Sequence, residues 1–158
     1  IATKIKTIMI DAKDIDDLRN KISLNEIELN AFAEIINHLS AETVYLDLPE
    51  RNSDFPERLK AKVNRKINLI AEHKADERYP VVSAASIMAK VKRDRKIKTI
   101  EKEINEPIGS GYPADPKTKE FLKSYFKKNK KFPESVRHSW KTIQNIIDEQ
   151  KQSRLFNF

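Results

Sequence analysis

The fold class follows chiefly from residues Ala71–Ile97, which read AEHKADERYPVVSAASIMAKVKRDRKI. This stretch continues the apolar run Ile67–Ile70 and passes one carboxylate, Asp76, before a helical pattern begins. Small side chains in the first turns let this helix lie close against a sheet: Ser83, Ala84, Ala85, Ser86 and Ala89. Cations follow where the helix leaves the core: Lys90, Lys92, Arg93, Arg95 and Lys96. An acid at the end of a buried strand, followed by a basic helix, indicates a metal or phosphate site.

The bulk composition narrows the class of protein. The chain has 158 residues, 39% of them hydrophobic and 35% charged, with a formal net charge of +7. This length is enough for one domain with a hydrophobic core. The positive charge favours a polyanionic partner, but surface networks of Lys and Glu produce a similar composition. Charge alone therefore leaves a nucleic-acid-binding protein and a merely solvated basic surface as alternatives.

The cysteine count and the hydropathy pattern disfavour other classes. There is no cysteine, which excludes disulfides and thiolate metal sites and fits a reducing, cytoplasmic location. No apolar run approaches the ~18 residues that indicate a membrane span, and no signal peptide is visible.

The first part of the chain predicts a strand followed by an amphipathic helix. Ile5–Ile10 has the pattern of a short strand with apolar residues on both faces. Ser23-Leu24-Asn25-Glu26 is a capping box. The helix that it opens carries an apolar stripe, interpreted as core packing: Leu24, Ile27, Ala31, Ile35 and Leu39, with Phe32 and Ile36 alongside.

A strand, a helix and a second strand follow. Residues 43–48 and 67–71 have strand patterns, and between them Ser53 is expected to cap a helix that reaches about Val63. This order predicts a parallel pair joined by a right-handed crossover. Asp47 and Asp76 then lie beyond the same, carboxyl, edge of the sheet, where α/β proteins bind ligands. Taken alone, an acid at a strand end such as Asp47 is more commonly a turn cap.

Several charged residues surround Asp76. His73 is a candidate ligand or base, but the structural role is favoured for a lone histidine at a strand end. Lys74 is a candidate for neutralising a carboxylate-rich site or for contacting a phosphate. Residues 81–104 predict a long helix that Glu106-Pro107 ends.

The loop Gly109–Pro113 contains both glycines of the chain. It is too short for a phosphate-binding P-loop, and no Gly-Lys-Ser follows it. Pro113 restricts the backbone beside Tyr112. Two interpretations of Tyr112 stay open: a buried tyrosine with a bonded hydroxyl, or a phenol presented to a nucleic-acid sugar.

The last third of the chain predicts two basic helices. Asp115-Pro116 caps the first, whose inward residues are Phe121, Leu122, Tyr125 and Phe126. Its lysine-rich face suits contacts with a phosphate backbone. Pro133 is expected to open the second helix, with Arg137 and Lys141 on one face and Trp140 as a core anchor.

Four segments together resemble the type 2 ribonucleases H in their archaeal form. They are VYLDLP (residues 44–49), HKAD-x3-P-VVSAASI-x-AK-x3-D (73–94), GSGYPADPKT (109–118) and VRHSWKT (136–142), and they span nearly the whole chain in the family's order. The resemblance implies an α/β, ribonuclease H-like fold: a mixed sheet flanked by helices, incomplete at its N-terminal strands, with a C-terminal helical region.

The resemblance also implies an activity and a site. The family cleaves the RNA strand of RNA–DNA hybrids and cuts at embedded ribonucleotides, using Mg²⁺ or Mn²⁺ and leaving a 5′-phosphate. It implies that Asp47 and Asp76 are catalytic metal ligands and that Tyr112 recognises the RNA–DNA junction. Lys74, Lys90 and Arg93 are expected to bind the substrate. The regions expected are a partial core (residues 1–106), a substrate-binding helical region (107–151) and a tail (152–158).

One part of the family pattern is not found. The family uses four acids, two of them in a D-E-A-G-R-G stretch whose Gly-Arg-Gly grips the 2′-hydroxyl, and this sequence contains no such stretch. The expectation is that this chain alone is inactive and needs that segment from elsewhere. A non-catalytic nucleic-acid-binding fragment is the alternative function, and a basic structural protein of a ribonucleoprotein is a weaker one.

The final residues, Gln152 to Phe158, form the last motif. Gln152, Leu155, Phe156 and Phe158 resemble the short peptide by which archaeal replication enzymes bind the sliding clamp, PCNA. One helical turn places Leu155 and Phe158 on one side, suited to an apolar pocket, with Gln152 at its rim. A tail folded back on the core is the alternative.

Overall fold

A computed structural model of the chain describes residues 2–49 and 54–155, with the backbone alone for 153–155. Ser53, Phe156 and Phe158 therefore lie outside the described residues. The elements in chain order are α1 (Ala12–Arg19), α2 (Leu24–Leu39), β1 (Thr43–Asp47), α3 (Phe55–Lys62), β2 (Asn68–Glu72), α4 (Ala75–Arg78), α5 (Pro80–Ile104), α6 (Pro116–Asn129) and α7 (Lys141–Leu155).

The chain forms two compact units. The first comprises Ile1–Ile10 and Leu18–Val91, and the second comprises Asp11–Asp17 and Lys92–Phe158. Helix α5 contributes residues to both. The functional regions expected from the sequence, with a boundary at residue 106, stay a prediction.

The first unit is built on the parallel pair that the sequence predicts. Strands β1 and β2 pair in register from Thr43 opposite Asn68 to Asp47 opposite Glu72. Helices α2 and α3 pack with this sheet around one buried cluster: Leu29, Ala33, Ile36, Leu46, Phe55, Leu59 and Val63. The α/β class is thus confirmed, with a small parallel sheet flanked by helices.

Helix α2 begins at the expected cap but buries a different stripe. The Ser23 hydroxyl accepts a hydrogen bond from the Glu26 amide at 3.2 Å, while the Glu26 side chain pairs with Lys62 of α3 at 2.9 Å and with Arg58. Buried residues of α2 are Ile27, Leu29, Ala33 and Ile36. Ala31 and Ile35, expected in the core, are only partly buried, because the sheet and α3 cover the neighbouring face.

Two other element predictions are wrong. Ile5–Ile10 forms no strand, since no residue in the described part of the chain pairs with it. The last helix begins at Lys141, not at Pro133. The Asp16 carboxylate accepts hydrogen bonds from the amides of His138 (2.6 Å) and Ser139 (3.3 Å), which directs them away from helical bonding. The segment before Lys141 is therefore a turn.

The second unit has its own core. It consists of Ile100, Ile108, Phe121, Leu122, Phe132, Ile143 and Ile146, with Trp140, Tyr125 and Phe126 partly buried against it. Asp115 caps α6 by accepting a hydrogen bond from the Lys117 amide at 3.0 Å, as predicted. Among the residues described, no helix is both long and apolar enough to cross a membrane.

Candidate active site

The two predicted metal ligands lie at the carboxyl edge of the sheet. Asp47 ends β1, and its Oδ1 accepts a hydrogen bond from the amide of Ala75 at 3.0 Å. Ala75 begins α4, the single turn that carries Asp76 as its second residue. Asp47 therefore contacts the backbone immediately before Asp76. This hydrogen bond uses only one oxygen atom of the Asp47 carboxylate. Asp47 can therefore hold the α4 turn and still offer its other oxygen atom to a metal ion.

Glu72 holds the other end of the same turn. It ends β2, directly opposite Asp47 in the sheet register. Its Oε1 accepts a hydrogen bond from the Tyr79 hydroxyl at 2.9 Å, and its Oε2 pairs with Arg78 Nη1 at 2.7 Å. The Tyr79 ring also packs on Tyr45 of β1, with centroids 4.8 Å apart. Asp76 is thus carried on a turn anchored at both ends by strand-end carboxylates.

Sequence reasoning missed this role for Glu72. Glu72 is one of several charged residues around Asp76, and its sequence context indicates no particular function. The partners, Arg78 and Tyr79, lie six and seven residues away across a reversal of the chain. That reversal depends on Lys74, which adopts the left-handed conformation (φ 60°, ψ 39°) and has no glycine to announce it.

The charges at this edge are paired with one another. The Tyr79 hydroxyl and then Arg78 lower the pKa of Glu72 below its ordinary value. The hydrogen bond from Lys74 likewise lowers the pKa of Glu77, while the same contact, 2.7 Å long, raises the pKa of Lys74. Lys74 therefore stays cationic, and its pair with Glu77 is solvent-exposed, as weak surface ion pairs are.

A cleft of about 450 Å³ opens beside these residues. Its walls are Leu48, Ala71, Glu72, His73, Lys74, Glu77 and Arg78. Acidic and basic side chains line it together. Exposed His73 is one of the lining residues, and its role as base or structural residue stays a prediction.

The oxygen atoms at this edge are of the type that binds a hard metal cation. Carboxylate oxygens such as those of Asp47 and Asp76 are the ligands that Mg²⁺ and Mn²⁺ prefer. Within residues 2–49 and 54–155, however, no three His, Cys, Asp or Glu side chains converge as a metal site. Water or further groups would have to complete the coordination.

The loop before α6 presents Tyr112. Its side chain is 50% exposed, so the interpretation of a buried tyrosine is wrong. The Arg93 guanidinium lies over the ring, 3.6 Å from its centroid, and Arg93 Nη2 donates to the Ser110 carbonyl at 2.9 Å. Gly109 (φ 81°) and Gly111 (φ 69°) supply the left-handed conformations that this turn needs.

Asp115 fixes the same loop from the α6 side. Its Oδ2 accepts a 2.7 Å hydrogen bond from the Ser110 amide. The Thr118 hydroxyl accepts from the Gly111 amide at 3.0 Å and donates to the Ile108 carbonyl at 2.9 Å. Hydrogen bonds from Ser110 are the main cause that lowers the pKa of Asp115 to about 2. These hydrogen bonds hold the loop backbone in place beside the exposed Tyr112 side chain.

The remaining predicted site residues lie on helices. Lys90 is exposed on α5, three residues before Arg93. Exposed lysines make the region of α6 basic, and they include Lys117, Lys119 and Lys127 on α6, and Lys131 just after it. Gln152 is exposed on α7, and Leu155 is the last residue of that helix.

Comparisons with known proteins agree with this architecture. The family model for Ribonuclease HII matches residues 1–143. Ribonuclease HII of Methanococcus maripaludis strain C7 is 47% identical over 160 residues, covering 98% of this chain and 66% of the relative. That of Methanocaldococcus jannaschii is 44% identical over 163 residues, covering 93% and 70%.

Solved structures give the same result. The crystal structure of ribonuclease H2 from Pyrococcus horikoshii OT3 aligns with a TM-score of 0.79 and 39% identity, covering 90% of this chain and 67% of that one. Ribonuclease HII in the PCNA:RNase HII complex from Archaeoglobus fulgidus aligns with a TM-score of 0.76 and 37% identity, covering 84% and 64%.

The fold and the strand-edge carboxylates thus define an α/β protein of the ribonuclease H-like class. Within that class, the chain belongs to the Ribonuclease HII family, as the resemblance of its motifs implies. It spans about two thirds of the length of the M. maripaludis relative.

Proposed function

We propose that this chain is part of an endoribonuclease that cleaves the RNA strand of RNA–DNA hybrids and cuts at embedded ribonucleotides. The observation that carries the proposal is the Asp47–Ala75 hydrogen bond, which joins one strand-end carboxylate to the turn bearing the other. It occurs in a chain 47% identical to a Ribonuclease HII. Two carboxylates at one edge of the sheet would suit metal-assisted hydrolysis of a phosphodiester.

In this proposal Asp47 and Asp76 hold Mg²⁺ or Mn²⁺. Such ions, when bound, activate a water molecule and stabilise the leaving 3′ oxygen, so that the product carries a 5′-phosphate. Glu72 and Asp47 keep α4 in place, so Asp76 does not need to reorganise on binding. This preorganisation lowers the cost of assembling the site.

Other residues are proposed to bind the nucleic acid. Lys74 at the cleft and Lys90 on α5 would contact phosphates, which supply affinity without reading bases. Tyr112 would stack on a sugar at the RNA–DNA junction and hydrogen-bond a hydroxyl there. Its exposure and its rigid loop support this role.

Catalysis is proposed to require further acids. Among the residues described, no three His, Cys, Asp or Glu side chains form a group that could hold a metal ion, and the family places two acids in a D-E-A-G-R-G stretch. This same observation favours the alternative, in which the chain binds nucleic acid without cleaving it. A second polypeptide segment bearing that stretch would convert the alternative into the nuclease.

The tail is proposed to bind a sliding clamp. Gln152 and Leu155 have the order and spacing of a clamp-binding peptide with Phe156 and Phe158. A relative of this chain from A. fulgidus is solved in a PCNA:RNase HII complex. Tethering to a clamp would raise the local concentration of DNA without a new contact at the site.

Cleavage of a DNA duplex with one embedded ribonucleotide tests the proposed function. We expect residues 1–158, supplied with the D-E-A-G-R-G segment, to cut beside the ribonucleotide when Mg²⁺ or Mn²⁺ is present and to stop when EDTA is added. An all-DNA duplex of the same sequence is the control substrate. Binding of the duplex without any cleavage by the supplemented protein would support the binding module instead.

A further inference from the structure

We infer that Arg93 is a positioning residue for Tyr112, acting on the substrate through the tyrosine ring rather than through a phosphate. The inference rests on the proposed function, since it gives Arg93 a role in how Tyr112 meets the nucleic acid. Both residues belong to the second unit.

The Arg93 side chain contacts the Gly109–Pro113 loop in two ways. Its guanidinium carbon lies 3.6 Å from the centre of the Tyr112 ring, the distance of a stacked cation–π contact. From the same plane, Nη2 donates a 2.9 Å hydrogen bond to the carbonyl of Ser110, two residues before the ring. One side chain thus fixes both the loop backbone and the ring that the loop presents.

The loop packs closely against α5. A Cβ atom placed on Gly111 would lie 2.6 Å from Ile97 Cδ1 and 3.4 Å from Arg93 Nη2. The loop backbone at Gly111 therefore packs directly against Arg93 and Ile97, which lie one turn apart on α5. On its other side, Asp115 and Thr118 hold the amides of Ser110 and Gly111.

The backbone is therefore fixed, while the Tyr112 ring, half exposed, has rotational freedom that only its neighbours can remove. Arg93 covers one face of the ring and sets its plane. A sugar can then stack only on the opposite face. Fixing the ring before the substrate arrives reduces the ordering cost of binding, which favours the junction that the ring recognises.

A phosphate role and a positioning role predict different results for Arg93→Lys. Lysine keeps the positive charge that a phosphate needs. It lacks the planar guanidinium, which stacks on the Tyr112 ring and donates a hydrogen bond to the Ser110 carbonyl at the same time. If Arg93 contacts a phosphate, Arg93→Lys should be nearly neutral. If it positions Tyr112, Arg93→Lys should resemble Arg93→Ala.

The first measurement does not depend on activity. Photo-CIDNP NMR reports the accessibility of tyrosine rings, and we expect a stronger Tyr112 signal in Arg93→Lys than in the wild type, because one ring face is uncovered. Arg95→Lys, on the same helix, is the control and should leave the signal unchanged. An unchanged Tyr112 signal in Arg93→Lys would overturn the inference.

The second measurement is a double-mutant cycle on the supplemented protein. We expect Arg93→Lys to weaken the preference for a ribonucleotide-containing duplex over an all-DNA duplex by roughly tenfold, the size of one stacked cation and one hydrogen bond lost. Affinity for the all-DNA duplex should not change. In a Tyr112→Ala background, Arg93→Lys should have no further effect.

The outcomes separate the inference from the function on which it rests. Additive effects of Arg93→Lys and Tyr112→Ala, or an equal loss of all-DNA affinity, would overturn the positioning role and assign Arg93 to a phosphate. A wild-type protein with no preference for the ribonucleotide would contradict the proposed function, and the photo-CIDNP result would still decide whether Arg93 holds the ring.

Discussion

Three aspartates in this chain accept hydrogen bonds from backbone amides. Asp47 accepts from Ala75, Asp16 from His138 and Ser139, and Asp115 from Ser110 and Lys117. Each one ties a turn to a distant or neighbouring element by a charge-assisted hydrogen bond. The sequence shows these acids but not their partners, since Asp16 and His138 are separated by 122 positions.

The Asp115 carboxylate gives a prediction for acid pH. Its pKa is lowered from 3.8 to about 2 in the folded protein, chiefly by hydrogen bonds from Ser110. The ionised group therefore stabilises the fold above its unfolded pKa, and that contribution is lost as the pH falls from about 3.8 through about 2. We expect Asp115→Asn to lower the Tm near neutral pH and to have a shrinking effect toward pH 2.

Thermal unfolding between pH 2 and pH 7 checks this prediction. Asp17→Asn, which removes an exposed carboxylate of α1 without removing a hydrogen bond in the described structure, is the matched control. A Tm difference for Asp115→Asn that stays constant across this range would contradict the proposed linkage.

At the scale of elements, sequence patterns predicted mainly those whose signals are local. The parallel β1–β2 pair, the Ser23 cap of α2 and the Asp115-Pro116 start of α6 are confirmed. The two caps depend on residues within one turn. The β1–β2 pair is not local, but strand propensity and the right-handed crossover rule were enough to predict it.

Elements that depend on distant contacts were predicted less well. Pro133 has the pattern of a helix start, but Asp16 takes the amides that the helix would need, and α7 begins at Lys141. The buried stripe of α2 is set by which face α3 and the sheet cover. Ile5–Ile10 has a strand pattern without a pairing partner in the described residues. In all three cases tertiary contacts override local preference.

The candidate site was also predicted only in part from the sequence. The order of strand, helix and strand was enough to place Asp47 and Asp76 near one sheet edge. It could not reveal that Glu72 anchors α4, because this requires the left-handed Lys74 backbone and the side-chain positions of Arg78 and Tyr79. Nor could it reveal the stack of Arg93 on Tyr112, since these residues are separated by the end of α5 and a loop.

At the scale of the whole molecule, each compact unit has a distinct hydrophobic core and a distinct part of the proposed function. The first unit carries the carboxylates and the cleft. The second carries Tyr112 and the lysine-rich surface of α6. The net charge of +7 suits a polyanionic partner and predicts binding that weakens with salt.

The tail provides a prediction at this scale. Deleting residues 152–158 should abolish binding to a sliding clamp, because it removes Gln152 and the apolar anchors Leu155 and Phe158. Cleavage of short duplexes without the clamp should be unchanged. Calorimetric titration against the clamp and a cleavage assay on the same preparation measure both properties.

Gln150→Ala, two residues before Gln152 and outside the motif, is the control for this deletion. Unchanged clamp affinity after the deletion, or a Tm lowered by many degrees, would favour a tail that packs on the protein itself.

Asp76 and Asp47 together are proposed to hold the metal of a nuclease site, and the substitution Asp76→Asn tests this assignment. The measurement is the rate of Mn²⁺-dependent cleavage of a ribonucleotide-containing duplex, with duplex affinity measured in parallel, in a protein that combines residues 1–158 with the D-E-A-G-R-G segment. Glu77→Gln, which alters the next residue of the same turn and its pair with Lys74, is the control. We predict that Asp76→Asn reduces cleavage by roughly a hundredfold or more while duplex affinity and the Glu77→Gln rate stay near wild type, because metal stabilisation of the transition state supplies several kcal/mol. Near-normal cleavage by Asp76→Asn would contradict the account.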